Sequence, residues 1–407
     1  MNKRILIFTV GYYPHVGGAE VAIKEITDRI DPNDIVFDMV TMRFIKKNNS
    51  VEKLGNISIN RIGFTDNAMQ STDRLPLLLK ITKILFPLIA FLKAYKLQKK
   101  HSYDAVWVNM ANHSAFAALL FKYFYPKISY ILMLQDGQTV DEIKKKNKIV
   151  RLLYPFYIKV FTKADYIQAI SNFTKNLALN MGATCPIELI SNGVNVKHFS
   201  KVYAEEELDK LRVRLNLKRN KRYIITTSRL VMNRGVEDII KSLKFIPQHV
   251  EFLVLGVGDD LEELKKIARE VGVSERVHFL EHISHSELPK YLKVADIFVR
   301  PSIVEGFGNS FIEAMVAEIP VIATEVGGIP DFLYDPKVNP DKNPTGLFCK
   351  AHNPKSIAEQ VIILLEDSVL VEKLKKNASL LVKERYDWSK ITQDMKEKIF
   401  NKIEINK

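Results

Sequence analysis

The sequence predicts two doubly wound α/β domains, and three observations support this. Short apolar runs alternate with helix-period segments along nearly all of the 407 residues. The runs fall into two successive series. The chain is also longer than one ordinary core fills, which favours two domains. Strand–helix alternation builds parallel sheets covered on both faces, and two series build two of them.

The first series reads Arg4–Thr9, Phe37–Thr41, Ile57–Ile62, Ala105–Asn109, Tyr130–Leu134, Tyr166–Ala169 and Ile187–Ile190. The second reads Tyr223–Thr227, Glu251–Leu255, Val277–Leu280, Ile297–Arg300, Val321–Thr324 and Gly346–Phe348. Helical segments between them include Ala19–Ile30, Val236–Phe245, Asp260–Val271 and Ser310–Val316. The turn signal Asn192-Gly193 marks the boundary. It gives a first domain over 1–192 and a second over 193–385. The closing segment 386–407, a charged helix from Trp388 to Ile405, has no strand after it to pair with and is expected to pack back on the first domain. In open sheets of this kind ligands bind beyond the carboxyl ends of the strands, so two such domains facing each other make a cleft.

A hydrophobic content of 47% and an aromatic content of 10% fit a protein with real cores. The two cysteines, Cys185 and Cys349, lie far apart and in no metal spacing, so a reducing compartment is expected. The opening run Met1 to Phe8 is too short for a signal peptide and stops at Gly11-Tyr12-Tyr13-Pro14, which reads as a strand entering a turn.

The net charge of +13 favours anionic partners. Lys144 to Lys148 form a dense basic run, yet no aromatic-interleaved RNA motif accompanies it, so nucleic acid is not expected. The stretch Leu75 to Tyr95 is strongly apolar, but Lys80, Lys83 and Lys93 interrupt it. A spanning helix needs roughly 20 mostly uninterrupted apolar residues. Two readings remain: a helix lying on an anionic membrane surface with its lysine heads at the interface, or a helix buried in the domain. The membrane reading expects weaker vesicle binding when Lys80, Lys83 and Lys93 become Glu.

The densest chemical signal follows Ile297–Arg300. It reads Pro301-Ser302-Ile303-Val304-Glu305-Gly306-Phe307-Gly308-Asn309-Ser310-Phe311-Ile312-Glu313. Gly306 and Gly308 let backbone approach a ligand closely. The helix start at Asn309-Ser310 offers amides and a positive dipole end, which suits a diphosphate. Glu313, one turn further, suits ribose hydroxyls, and Glu305 on the turn suits sugar hydroxyls. A second signal is Ser228-Arg229-Leu230-Val231-Met232-Asn233-Arg234-Gly235 at another strand end. Arg229 and Arg234 can neutralise a diphosphate leaving group as its charge grows in the transition state. A third is Gly17-Gly18, opening the first helix, with Glu20 read as a first-turn acid rather than a catalyst. The loop lacks the spacing of a dinucleotide fingerprint. A fourth is Gly256-Val257-Gly258-Asp259-Asp260, where a plain tight turn competes with a ligand loop. Asp259 and Asp260 are adjacent acids without a cluster of hard-cation ligands, so no essential metal or other cofactor is expected.

Glu305 and Glu313 match the E-x7-E motif of retaining GT-B glycosyltransferases. With Pro320-Val321-Ile322-Ala323-Thr324 and Gly327-Gly328-Ile329-Pro330, the chain resembles glycosyltransferase family 4 over nearly its whole length, more loosely between Val40 and Ser129. The resemblance implies a GT-B fold, two Rossmann-like domains facing across a cleft, and a UDP- or GDP-sugar co-substrate in the second domain. It implies that Gly17 and Gly18 touch donor phosphate. It also implies that Gly258 and Ile283 flank the nucleobase, with main chain near His282 to Ser284 reading its edge. Phe307 lies within the donor string.

The sequence departs from the family at several positions. Arg234 stands where relatives carry Lys, which replaces a point-like ammonium with a planar fork. Gln135, followed by Asp136, stands where many relatives carry His, and an amide cannot exchange a proton at neutral pH. Asn195 stands where Asp is common. His113 is a substitute histidine or a structural one. The resemblance implies a saccharide or lipid-linked acceptor on the Gln135–Asp136 side, in the cytoplasm or at the inner membrane face. An epimerase on the same fold, and a binding subunit without turnover, are the competing readings.

Overall fold

The computed structural model describes residues 2–405 apart from 15–16, 67–74, 136, 138, 141, 143–153 and 282. The chain divides into two compact units, Met1–Asn192 with Trp388–Lys407, and Gly193–Asp387. The basic run Lys144 to Lys148 lies outside the described residues.

The first unit holds β1 (Lys3–Phe8), β2 (Ile35–Met42), β3 (Val51–Leu54), β4 (Ile57–Ile62), β5 (Ala105–Asn109), β6 (Ser129–Leu134), β7 (Tyr166–Ala169) and β8 (Ile187–Leu189). They form one sheet in the order β3-β4-β2-β1-β5-β6-β7-β8. All pairs are parallel except β3–β4. β3 was not expected from the sequence. Its Val-Glu-Lys-Leu lacks an apolar alternation because it is an edge strand whose outward residues face water. The central strands are buried on both faces, as continuous apolar runs require.

The second unit holds β9 (Arg222–Thr227), β10 (Val250–Leu255), β11 (Val277–Leu280), β12 (Ile297–Arg300), β13 (Val321–Thr324) and β14 (Leu347–Cys349). Their order is β11-β10-β9-β12-β13-β14, and every pair is parallel. This is the doubly wound order in which the chain builds outward from β9 and then reverses to β12. The last strand sits one residue later than expected. The helix expected over Val236–Phe245 is α-helical through Ser242 and closes with a 3₁₀ turn, Leu243–Phe245.

The closing helix runs Trp388–Lys398 and ends in a 3₁₀ turn, Phe400–Lys402. Trp388, Ile391, Met395, Ile399 and Phe400 join the core of the first unit beneath β1, β2 and β5. The Phe400 ring meets Trp107 at 5.4 Å and Phe37 at 5.9 Å. Both cysteines are free, and burial pushes the Cys349 thiol up to about 12.

The apolar stretch Leu75 to Tyr95 lies within one long helix, Leu77–His101, apart from its first two residues. Among the described residues, no helix is long and apolar enough to cross a membrane.

Candidate active site

In the second unit the strand order reverses between β9 and β12, so the loops leaving their carboxyl ends lie side by side. These are the loops that carry Arg229, Arg234 and Glu305. Main-chain contacts hold them together. The Ile303 amide donates to the Asn233 carbonyl at 2.9 Å, and Arg234 Nη1 donates to the Val304 carbonyl at 3.1 Å.

Glu305 is the centre of this junction. Its Oε2 accepts from Arg234 Nη1 at 2.8 Å, from Arg300 Nη2, and from Ser302 Oγ at 3.5 Å. The Arg300 side chain is 8% exposed and that of Glu305 is 9%. Arg300 also donates to Ser310 Oγ and lies over the Phe311 ring, 4.8 Å from its centroid. Burial, then the neighbouring Arg300, lowers the Arg234 pKa, while Glu305 raises it and exposed Arg229 adds a further lowering. Two guanidiniums against one carboxylate leave positive charge in a partly desolvated place, where it acts more strongly than in water.

Arg300 was missed as a site residue by sequence reading, because an arginine ending an apolar strand resembles one reaching for solvent. Its signal was the position itself, the last residue of the strand at the reversal of order.

The helix Asn309–Val316 starts directly after Gly308, whose φ of 100° only glycine adopts readily. Gly306 and Gly308 are buried on this turn, and Asn309 is half-buried. Ser310 is engaged by Arg300. Phe307 turns its ring inward against Phe332 at 5.2 Å and Tyr386 at 5.4 Å, so its side chain belongs to the core. Glu313 Oε1 lies 3.2 Å from His285 Nε2. His285 was also missed. Its backbone carbonyl is 3.0 Å from His198 Nε2, and its ring packs edge-on against Phe199 at 5.1 Å. Asn195 caps the short helix bearing His198, its Oδ1 accepting from the His198 amide at 3.1 Å.

The Gly256–Asp260 loop is bound to the Arg229 loop. The Leu230 amide donates to the Val257 carbonyl at 2.9 Å, and Asp260 Oδ2 accepts from the Met232 amide at 2.8 Å. A side chain at Gly258 would collide with the Leu230 backbone, so this glycine serves loop-to-loop packing. Ile283 is half-buried beyond β11, and His282 lies outside the described residues.

In the first unit the order reverses between β1 and β5. Gly17 and Gly18 are exposed there, at the start of the helix Gly18–Asp28. The Gly17 amide donates to Glu20 Oε2 at 2.8 Å, so Glu20 acts as a helix-start acceptor. Buried Asn109, at the end of β5, donates to Thr9 Oγ1 at 3.0 Å and to Glu20 Oε1 at 3.3 Å. Gln135 forms a reciprocal amide pair with Asn192, at 3.0 and 2.9 Å. Asp136 lies outside the described residues. His113 opens the helix His113–Phe124; burial, then Lys83, lowers its pKa and favours the neutral ring.

Among the described residues, one group could hold a metal: Glu237, Asp238 and His352. It does not include Asp259 or Asp260. Lys241 Nζ occupies Glu237 at 3.3 Å, and burial raises the Asp238 pKa.

Two Rossmann-like units with a basic, glycine-lined strand-end site define a protein of the GT-B class. The chain matches, over residues 208–380, the model of the family described as glycosyl transferases group 1. It is a glycosyltransferase. An uncharacterized glycosyltransferase of Methanocaldococcus jannaschii is 25% identical over 426 residues, covering 99% of this chain and 100% of the relative. A GDP-mannose-dependent alpha-(1-6)-phosphatidylinositol monomannoside mannosyltransferase of Mycobacterium tuberculosis is 29% identical over 214 residues. That match spans 50% of this chain and 53% of the relative. Among solved structures, Anabaena HepE in complex with UDP-glucose superposes with a TM-score of 0.77 at 18% identity, covering 98% of this chain and 99% of that one. At that identity the likeness shows the fold.

Proposed function

We propose that the chain transfers a hexose, with retention of configuration, from a UDP- or GDP-sugar to a lipid-linked or polysaccharide acceptor. The observation that carries this reading is the junction of Arg229, Arg234, Arg300 and Glu305 at the strand-order reversal. It combines excess positive charge with the first amides of the helix after Gly308, the chemistry that a departing nucleoside diphosphate needs. In this reading Arg229 and Arg234 stabilise the leaving diphosphate, Glu305 holds the sugar and Glu313 the ribose. The acceptor hydroxyl attacks from the face the diphosphate leaves, and the leaving phosphate takes its proton. No histidine is then needed at Gln135, which with Asp136 serves the acceptor side. No step requires a metal.

The mannosyltransferase relative, whose name specifies GDP-mannose and a phosphatidylinositol mannoside, supports a lipid-linked acceptor. The HepE complex supports a uridine donor equally. A lipid-linked acceptor places the work in the cytoplasm at the inner membrane face, in cell-envelope polysaccharide assembly.

A panel of UDP- and GDP-sugars, scored by thermal shift and then by donor hydrolysis, tests the proposal. One donor at a hundredfold excess over its dissociation constant should stabilise by about 2.7 kcal/mol. Arg229→Ala should abolish the shift, and Glu305→Ala should abolish hydrolysis. A shift without turnover, in the presence of candidate acceptors, would favour a binding subunit. Interconversion of the sugar without transfer would favour an epimerase.

A further inference from the structure

The helix Leu77–His101 has two apolar faces, and the first unit buries only one. Inward, Leu79, Phe86, Ala90 and Ala94 enter the core and pack against the helix His113–Phe124. Outward, Leu77, Ile81, Ile84, Leu85, Leu88 and Leu92 are all exposed, Ile84 at 69% and Leu88 at 56%. Steps of three and four residues place them in one stripe, about 22 Å long at 1.5 Å per residue. Scattered surface leucines are ordinary, but a continuous stripe of this length indicates an occupant.

Charge identifies that occupant. The helix carries no acidic residue, and between Asp73 and Asp136 the only one is Asp104. Exposed Lys80 flanks the stripe, and exposed Lys96, Lys99 and Lys100 continue it. Lys99 Nζ lies 4.6 Å from the Tyr95 ring centroid. Phe124, 63% exposed, packs tilted against Phe91 at 4.8 Å and widens the apolar band on one side. An apolar strip bounded by aromatic rings and lysines, without acids, matches the boundary between acyl chains and anionic headgroups. A second copy of the chain fits worse, because a two-fold contact through this face would bring lysines against lysines.

We infer that the outward face of Leu77–His101 docks flat on an anionic lipid bilayer, through the stripe from Leu77 to Leu92 and the lysines at its carboxyl end. This deepens the membrane-side part of the proposed function. It also revises which lysines matter. Lys83 and Lys93 are half-buried, and Lys83 bears on His113, so reversing their charge disturbs packing as well as binding. The lysines available to headgroups are Lys80, Lys96, Lys99 and Lys100.

The test is co-sedimentation of the full chain with phosphatidylglycerol–phosphatidylcholine vesicles and with phosphatidylcholine vesicles, without donor or acceptor. Wild type should bind the anionic vesicles and lose binding as salt rises. Ile84→Glu/Leu88→Glu should reduce binding at least tenfold, and Lys96→Glu/Lys99→Glu/Lys100→Glu should do likewise. Both variants should keep the nucleotide-induced thermal shift, which shows that they fold and reads the donor site separately. Absence of wild-type binding would overturn the inference, as would equal binding by the Ile84→Glu/Leu88→Glu variant. Self-association of wild type that the same variant abolishes, with no vesicle binding, would assign the face to a second copy instead.

Discussion

Arg300 ends β12 and Arg229 lies on the loop after the neighbouring strand β9, yet their substitution has different consequences. Arg300 is buried against Glu305 and Ser310, and its removal takes away charged hydrogen bonds to both while Arg234 still pairs Glu305. Arg300→Ala should therefore lower the unfolding free energy of the second unit by about 1.5–3 kcal/mol. Arg229 is exposed, and Arg229→Ala should stay within about 0.5 kcal/mol of wild type while losing donor binding. Urea unfolding of both variants, alongside nucleotide binding, checks the pair. Equal destabilisation would mean that Arg229 is structural. The contrast also explains what was legible. Arg234 and Glu305 stand beside glycines and Arg229 follows a strand end, where charge reads as function. Arg300 and His285 carry no such punctuation, and only the fold brings them to Glu305 and Glu313.

The strand-end loops behave as one stitched element, and Gly327 shows why the Gly327-Gly328 pair lies far from the chemistry in sequence yet bears on it. Gly327 has φ 57°, and a Cβ there would sit on the Glu305 carbonyl oxygen. The Gly328 amide donates to that same carbonyl at 3.2 Å. Gly327→Ala should push the Glu305 turn out of place, weaken donor binding, and cost more than about 1 kcal/mol. Gly272 is the control: its φ is 77°, but nothing lies within 4 Å of an added Cβ. Gly272→Ala should show only the left-handed backbone penalty, about 1–2 kcal/mol, with donor binding intact. Nucleotide titration of both variants decides, and equal affinity would detach the glycine pair from the site. Most strands were readable at this scale, because buried parallel strands are continuous apolar runs. β3 was not, because an exposed edge strand of four residues has no apolar signature.

At the scale of the whole molecule, each unit has its own sheet and core, but the core of the first is completed by residues from the other end of the chain. Phe400 is fully buried between Trp107 and Phe37, nearly the full sequence length away from β1. Lys3 Nζ donates to its carbonyl at 2.8 Å, and Lys402 Nζ reaches Glu188 at 3.2 Å. Removing the Phe400 ring leaves a cavity against two aromatic side chains, so Phe400→Ala should destabilise the first unit by about 3–5 kcal/mol. The second unit loses nothing by this change, and the proposed nucleotide site lies on a different sheet. Thermal unfolding followed by calorimetry should therefore show a lowered transition for the first unit and a second transition that nucleotide still raises. A single transition that falls as a whole would mean that the two units unfold cooperatively, and donor binding would then stabilise the first unit as well.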